Sequence, residues 1–185
     1  MRKDLGPKSL MFPEPVLIIG TYDEKGNPDA MNAAWGGISD TNEIHICLSK
    51  THKTVKNLLK TKEFTVSPAT KEYVKECDYL GMVSGNKEKH KLDNVHFHVI
   101  KSSHINAPII EELPFTLECK LKSYDSKTGH LYANIINISC DSKVMSKGKV
   151  DIKKLKPIIF NGEALSYHVI GEKVGNAFKD YKKIK

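Results

Sequence analysis

Pro114-Phe115-Thr116-Leu117-Glu118-Cys119-Lys120-Leu121-Lys122-Ser123-Tyr124, then Asp125-Ser126-Lys127-Thr128-Gly129, then Leu131 through Cys140: this stretch decides the fold class. Phe115, Leu117, Cys119 and Leu121 recur with the period of two that turns one face of a strand toward a core. Asp125 to Gly129 carries the chemistry of a hairpin loop, and Leu131–Cys140 reads as the return strand.

Outward from that hairpin, strand signals repeat. Pro15 to Thr21 holds the apolar run Val16–Ile19 and reads as a buried strand. Asp23-Glu24-Lys25-Gly26-Asn27-Pro28 is a turn. Asp29 to Gly37 is a second extended segment, ending in two glycines. Glu43–Leu48 alternates Ile44, Ile46 and Leu48 on one face. Glu63–Ser67 is a strand stopped by Pro68, and Val95–Val99 and Pro157–Phe160 are two more. Helices are few. One opens after Ser49-Lys50-Thr51, capped by Thr51 or Thr54, with Val55, Leu58 and Leu59 as its stripe. Thr70–Tyr79 is a second, with Tyr73, Val74 and Cys77 on one side. Gly171–Tyr181 is a third, with Val174, Phe178 and Tyr181 spaced for one face. Gly81 and Gly85 bracket a loop, and Lys87–Lys91 reads as a charged, mobile stretch. Short strands, close turn signals and a few inserted helices predict a mainly β chain folded as an antiparallel barrel. One domain over residues 1–185 is expected.

Composition narrows the function. Hydrophobic residues make up 39% and charged residues 28% of the 185, which argues against a disordered chain. The longest apolar run, four residues, is far short of the roughly 20 that span a bilayer. The first residues lack the apolar core of a signal peptide. Four scattered cysteines with no CxxC pair read as reduced thiols, so a cytoplasmic protein is expected. The formal charge is +7, yet Arg2 is the only arginine. Arginine is the favoured reader of phosphates and guanines, so a lysine surplus argues against a dedicated nucleic-acid binder.

The usual signatures GxGxxG, GxxxxGK[ST], HExxH and GxSxG are absent. His96 and His98 fall on one face of the expected strand, with His90 and His104 nearby; without a neighbouring carboxylate motif they read as surface histidines and no metal is expected. Ser49-Lys50-Thr51-His52-Lys53-Thr54 is more informative. A strand-to-helix junction rich in hydroxyls and cations suits an anion at the helix N-terminus, typically phosphate, or simply caps the helix. Asn32-Ala33-Ala34-Trp35-Gly36-Gly37 combines small residues with the only tryptophan. It suits either the close approach of a flat ligand or a tight strand crossing with Trp35 in the core.

Taken in order, these segments resemble the flavin reductase family, in its flavoredoxin-like branch. The resemblance runs through Leu5-Gly6-Pro7-Lys8-Ser9-Leu10, Pro15–Asp23, Gly26–Gly37, Ser49-Lys50 with Thr54, Phe64–Ser67 and Asp78–Gly85. Ala107-Pro108, Leu117-Glu118-Cys119, Ile158, Tyr167, Gly171 and Phe178 continue it. The resemblance implies an FMN-binding split β-barrel of antiparallel Greek-key type. It implies that Asn32, Ala33, Ala34 and Trp35 line the isoalloxazine, and that Ser49, Lys50, Thr51, His52 and Thr54 hold the phosphate and ribityl chain. Ser67 and Pro68 would lie beside the ring; Ser84, Gly85 and Lys87 would close on the cofactor, often across a homodimer. Lys50, His52 and Lys53 stand where relatives often carry an arginine, Glu88-Lys89-His90-Lys91 replaces an Asp-Lys-Phe type triplet, and His168 follows Tyr167. Lys87 or Lys91 is the candidate cation near the flavin N1/O2 edge. The implied activity is hydride transfer from NAD(P)H to FMN and onward to an acceptor, with no catalytic side chain. The alternatives are an FMN electron carrier without NAD(P)H turnover and a nucleic-acid-binding barrel. The length leaves no room for a Rossmann domain, so NAD(P)H is expected to dock directly over the flavin.

Overall fold

A computed structural model describes residues 1–184. In chain order the elements are β1 (Glu14–Pro15), β2 (Leu17–Tyr22), β3 (Pro28–Ala33), β4 (Gly36–Asp40), β5 (Glu43–Cys47), α1 (Lys53–Thr61) and β6 (Glu63–Pro68). Then come α2 (Val74–Met82), α3 (Lys91–Asn94), β7 (Val99–Lys101), β8 (Pro108–Ile110), β9 (Phe115–Tyr124) and β10 (His130–Cys140). The last are β11 (Met145–Ser146), β12 (Lys149–Val150), α4 (Ile152–Leu155), β13 (Ile158–Asn161) and β14 (Ser166–Val169).

One antiparallel sheet of seven strands runs in the order β3-β2-β6-β9-β10-β5-β4. Its edges, β3 and β4, are consecutive in the chain with only Ala34 and Trp35 between them. Three Cα steps of about 3.8 Å reach at most roughly 11 Å. The two edges must therefore lie side by side, and the sheet must curl into a barrel split along that seam. Leu17 of β2 reaches across it: a Cβ on Gly36 would lie 3.2 Å from Leu17 Cδ1 and 2.9 Å from the His45 carbonyl. The non-sequential neighbours β2·β6, β6·β9 and β10·β5 make the arrangement Greek-key in type.

The barrel interior is filled by Ile19, Met31, Ile44, Ile46, Phe64, Val66, Leu117, Cys119 and Leu131, with Val55 and Leu58 of α1 stopping one end. A second apolar cluster lies outside, where Val16, Ile18 and Ala30 meet Cys77 and Leu80 of α2, Leu92 and Phe97. Strand β2 is thus buried on both faces, which is why it reads as an unbroken apolar run. The hairpin β9–β10 forms as its alternation predicts, but Glu118, on the face opposite Leu117 and Cys119, is also buried. Its carboxylate accepts from the Ser102 hydroxyl and, at 2.7 Å, from Asn137 Nδ2.

Several expectations fail locally. Gly171–Tyr181 forms no helix; the segment has only a 3-10 turn at Asp180–Lys183, and Val174 and Phe178 are 96% and 93% exposed. A short stripe interrupted by Gly175 has no surface to pack on, and packing is what stabilises such helices. The strand expected over Val95–Val99 forms only from Val99, where β7 begins; His96 sits at φ +55°, so His96 and His98 share no strand face. No group of three or more His, Cys, Asp or Glu among the described residues is placed to hold a metal. The second helix starts at Val74 after a 3-10 turn and runs through Gly81, which therefore lies in its last turns rather than in a loop. Gly81 is needed there because a Cβ would press on Asn32 Cβ at 3.0 Å. Lys91 is no part of a mobile stretch; it opens α3 and is 3% exposed. No described helix is long and apolar enough to cross a membrane.

Candidate functional site

A groove of about 790 Å³ opens at the barrel seam. One wall is the end of β3 and the link to β4: Met31, Asn32, Ala33, Ala34 and Trp35. The link is held by Cys47 N donating to the Trp35 carbonyl at 2.8 Å and Gly36 N donating to Ala34 at 3.1 Å. Trp35 is 59% exposed, so the seam crossing turns the indole outward and not into the core. Asn32 faces α2, where Nδ2 donates to the Cys77 carbonyl at 3.3 Å. Nearby, Tyr167 donates to Asp78 Oδ1 at 2.7 Å, and burial, then that hydrogen bond, pushes its phenol up to about 12.

The second wall is the junction from Cys47 to His52. The Ser49 and Thr51 hydroxyls meet at 2.9 Å, and His52 N donates to the Ser49 carbonyl. His52 is the N-cap residue of α1, with extended backbone and no side chain bonded to the first-turn amides. The cap expected from Thr51 or Thr54 is therefore absent, and the positive end of α1 is left available beside hydroxyls and the exposed Lys50. Burial, then the nearby charge of Lys91, holds the His52 imidazole below its ordinary pKa.

The third wall escaped the sequence reading. The β9–β10 turn supplies Ser126, Lys127, Thr128 and Gly129, and Tyr124 flanks it. It is stitched to the junction by Leu48 N donating to the Gly129 carbonyl and the Tyr124 hydroxyl donating to the Leu48 carbonyl, both at 2.9 Å. Gly129 is obligatory: φ is +80°, and a Cβ would sit 2.9 Å from the Leu48 carbonyl oxygen. The turn signature Asp-Ser-Lys-Thr-Gly was the available signal, but only long-range pairing brings it to Leu48.

The remaining expected site residues stand off the groove wall. The Thr54 hydroxyl is buried and donates to Asp29 Oδ2 at 2.6 Å. Ser67 bonds Thr116 at 2.8 Å; it and Pro68 pair in register with Ile18 and Leu17 of β2, which in turn pair with Asn32 and Ala33. Ser84, Gly85 and Lys87 follow α2, and their neighbour Asn86 donates to the Thr51 carbonyl at 3.1 Å. Lys53 turns away to Asp23 at 3.7 Å, in a separate mixed-charge cleft, so Lys50 and Lys127 supply the groove's positive charge. Lys91 is not a groove cation: its ammonium donates to the Ala30 and Leu80 carbonyls at 2.7 and 3.0 Å.

An exposed indole at one end and an uncapped helix N-terminus with paired hydroxyls at the other fit a flat aromatic carrying a phosphate. The fold is that of a split barrel with a groove at the seam. The chain belongs to the family described as the flavin reductase like domain, whose model matches residues 9–169. Among solved structures it is 32% identical to flavoredoxin of Desulfovibrio vulgaris (Miyazaki F), with a TM-score of 0.91 over 97% of this chain and 98% of that one. It is 26% identical to flavoredoxin from Methanosarcina acetivorans, with a TM-score of 0.89 over 100% of both. An FMN-binding domain of a flavin reductases-like enzyme from Shewanella baltica shares the fold at 18% identity, with a TM-score of 0.80 over 88% of this chain and 89% of that one. A search of the curated proteins found no match.

The hydroxyl pair gives a direct test. Replacing Ser49 and Thr51 together by alanine is expected to weaken FMN by about tenfold or more, with riboflavin, which lacks the phosphate, changed less than about threefold. Equal losses for both ligands, measured by titrating flavin-stripped protein, would remove the phosphate from this wall.

Proposed function

We propose that the protein holds FMN in the seam groove and passes electrons from NAD(P)H through it to a small-molecule or protein acceptor. The observation that carries this reading is the uncapped α1 N-terminus, with Ser49, Lys50 and Thr51 beside it, in the same groove as the exposed Trp35. Bound FMN supplies a ring that accepts an electron pair and releases it singly or together. Ser49, Lys50, Thr51 and His52 hold the phosphate. The backbone of Asn32–Ala34 and the Trp35 ring would hold the isoalloxazine, and the Ser126–Gly129 turn would shield it from water. NAD(P)H docks against the open side of the groove, where Lys50 and Lys127 attract its phosphates. No side chain is required as acid or base.

Exposure of Trp35 at the groove mouth equally suits a protein partner, so an electron carrier without NAD(P)H turnover is the second reading. The reading includes a homodimer: Ile38 on β4 and Ile136 and Ile138 on β10 are exposed apolar side chains that a second copy would cover. Four free thiols suit a cytoplasmic setting. The purified protein is expected to show a flavin absorption spectrum and to release FMN on denaturation. Anaerobic NADH or NADPH is expected to bleach that spectrum. Bleaching by neither donor would leave only the carrier, and a colourless protein that takes up no FMN would end both readings.

A further inference from the structure

Three of the residues that stand off the groove wall converge on one side chain that no sequence motif singled out. Asp29 lies on β3 and is 7% exposed. The Thr54 hydroxyl donates to its Oδ2 at 2.6 Å. A Cβ built on Gly85 would lie 2.4 Å from its Oδ1 and 3.0 Å from its Cγ, so the loop after α2 rests its bare backbone on the carboxylate. Lys91, next to it across the Ala30 carbonyl, places a buried positive charge whose field reaches both Asp29 and His52.

Two of these links continue to the groove. Thr54 belongs to the first turn of α1, two residues beyond His52. Asn86, adjacent to Gly85, donates to the Thr51 carbonyl at 3.1 Å and accepts from Lys56 Nζ at 2.9 Å. Thr51 and His52 are thus held from the helix side and from the loop side by elements that both seat on Asp29. A binding wall is only as well placed as the groups that fix it from behind.

We propose that Asp29 is a positioning residue for the anion end of the groove, setting the spacing between the first turn of α1 and the Ser84–Lys87 loop. This rests on the proposed phosphate site at Ser49–His52. Asp29 touches no ligand itself. It acts by holding the amides and hydroxyls of that wall at the separation a phosphate requires.

The test compares FMN with riboflavin on flavin-stripped wild type, Asp29→Asn, Thr54→Val and Gly85→Ala, each checked for folding by circular dichroism. Asp29→Asn and Thr54→Val are each expected to weaken FMN about tenfold while riboflavin moves less than about threefold. The double variant is expected to be little worse than either single one, since both break the same link. Gly85→Ala, whose methyl presses on the Asp29 carboxylate from the loop side, is expected to shift FMN in the same direction. It keeps the proposal testable should Asp29→Asn fail to fold. Unchanged FMN affinity in the folded variants, or parallel losses of FMN and riboflavin, overturns the role of Asp29 alone. A wild type that binds neither flavin overturns the functional reading, and this role with it.

Discussion

Phe64→Ala is expected to lower the unfolding free energy by about 3–5 kcal/mol, the range for emptying a packed aromatic site. Phe64 is 0% exposed and sits on β6, between β2 and β9, where its ring packs among Ile19, Leu58, Leu117 and Leu131 inside the barrel. The curled sheet cannot collapse onto the void without moving β6, which is hydrogen-bonded on both sides, and this places the loss toward the upper end. For a chain of this size the melting temperature should fall by about 6–20 °C. Phe178→Ala is the control. Composition counts the two phenylalanines alike, but Phe178 is 93% exposed, and its loss should change stability by less than about 0.5 kcal/mol. Similar melting shifts for both variants would contradict the burial pattern.

The contrast between those two residues marks what local sequence carries. Period-two alternation in Glu43–Leu48 and Phe115–Leu121 is legible because one face of each strand meets the barrel interior, and Ile44, Ile46, Leu117 and Cys119 all do. The double burial of β2 is legible as an unbroken apolar run. The seam is different in kind. Nothing local says that β3 and β4 occupy opposite edges of the sheet, because that depends on β6 and β9 inserting between β2 and β10. The spacing of Val174, Phe178 and Tyr181 is that of a helix stripe, but periodicity reports only what a helix would bury if a surface were there to receive it. His96 and His98 fail for the opposite reason: a left-handed residue breaks the alternation, and histidine adopts that conformation without announcing it in sequence.

The groove divides along the same line. Two of its walls, Asn32–Trp35 and Ser49–His52, are each built from neighbours in the chain, so residue type and spacing could mark them as candidates, each with a structural alternative beside it, and the family resemblance made them the expected site. The third wall, and the supports behind the second, join residues far apart: Leu48 to Gly129, Thr51 to Asn86, Thr54 to Asp29. Thr54, expected at the phosphate, shows what a local motif leaves out: its buried hydroxyl is spent on a carboxylate 25 positions earlier.

Lys91→Met should be the costliest single change near the groove, at about 3–5 kcal/mol, because it breaks a buried charge arrangement by removing one side. Methionine fills much of the volume of the lysine stem, so the loss is electrostatic and hydrogen-bonding in origin. The Ala30 and Leu80 carbonyls lose their donor, and Asp29 loses the buried cation whose field supports its ionised form. Burial holds the Asp29 carboxyl above, and the Lys91 ammonium below, their ordinary values, so each is strained as an ion and each supports the other. The sign for Asp29 follows. Its folded pKa lies above its unfolded value of 3.8, so the folded protein binds more protons in the window above 3.8. Stability therefore falls as pH rises through that window. Removing the Lys91 charge raises the Asp29 pKa further and extends the fall toward neutral pH. Asp29→Asn abolishes that component. Combining Asp29→Asn with Lys91→Met should thus cost less than the sum of the two single changes, by about 1–2 kcal/mol, the coupling expected of groups that share a buried field. Urea unfolding of the four proteins, followed by circular dichroism at several pH values, measures the cycle. Strict additivity would mean that Asp29 and Lys91 act independently, and that the lysine serves only to bridge β3 and α2.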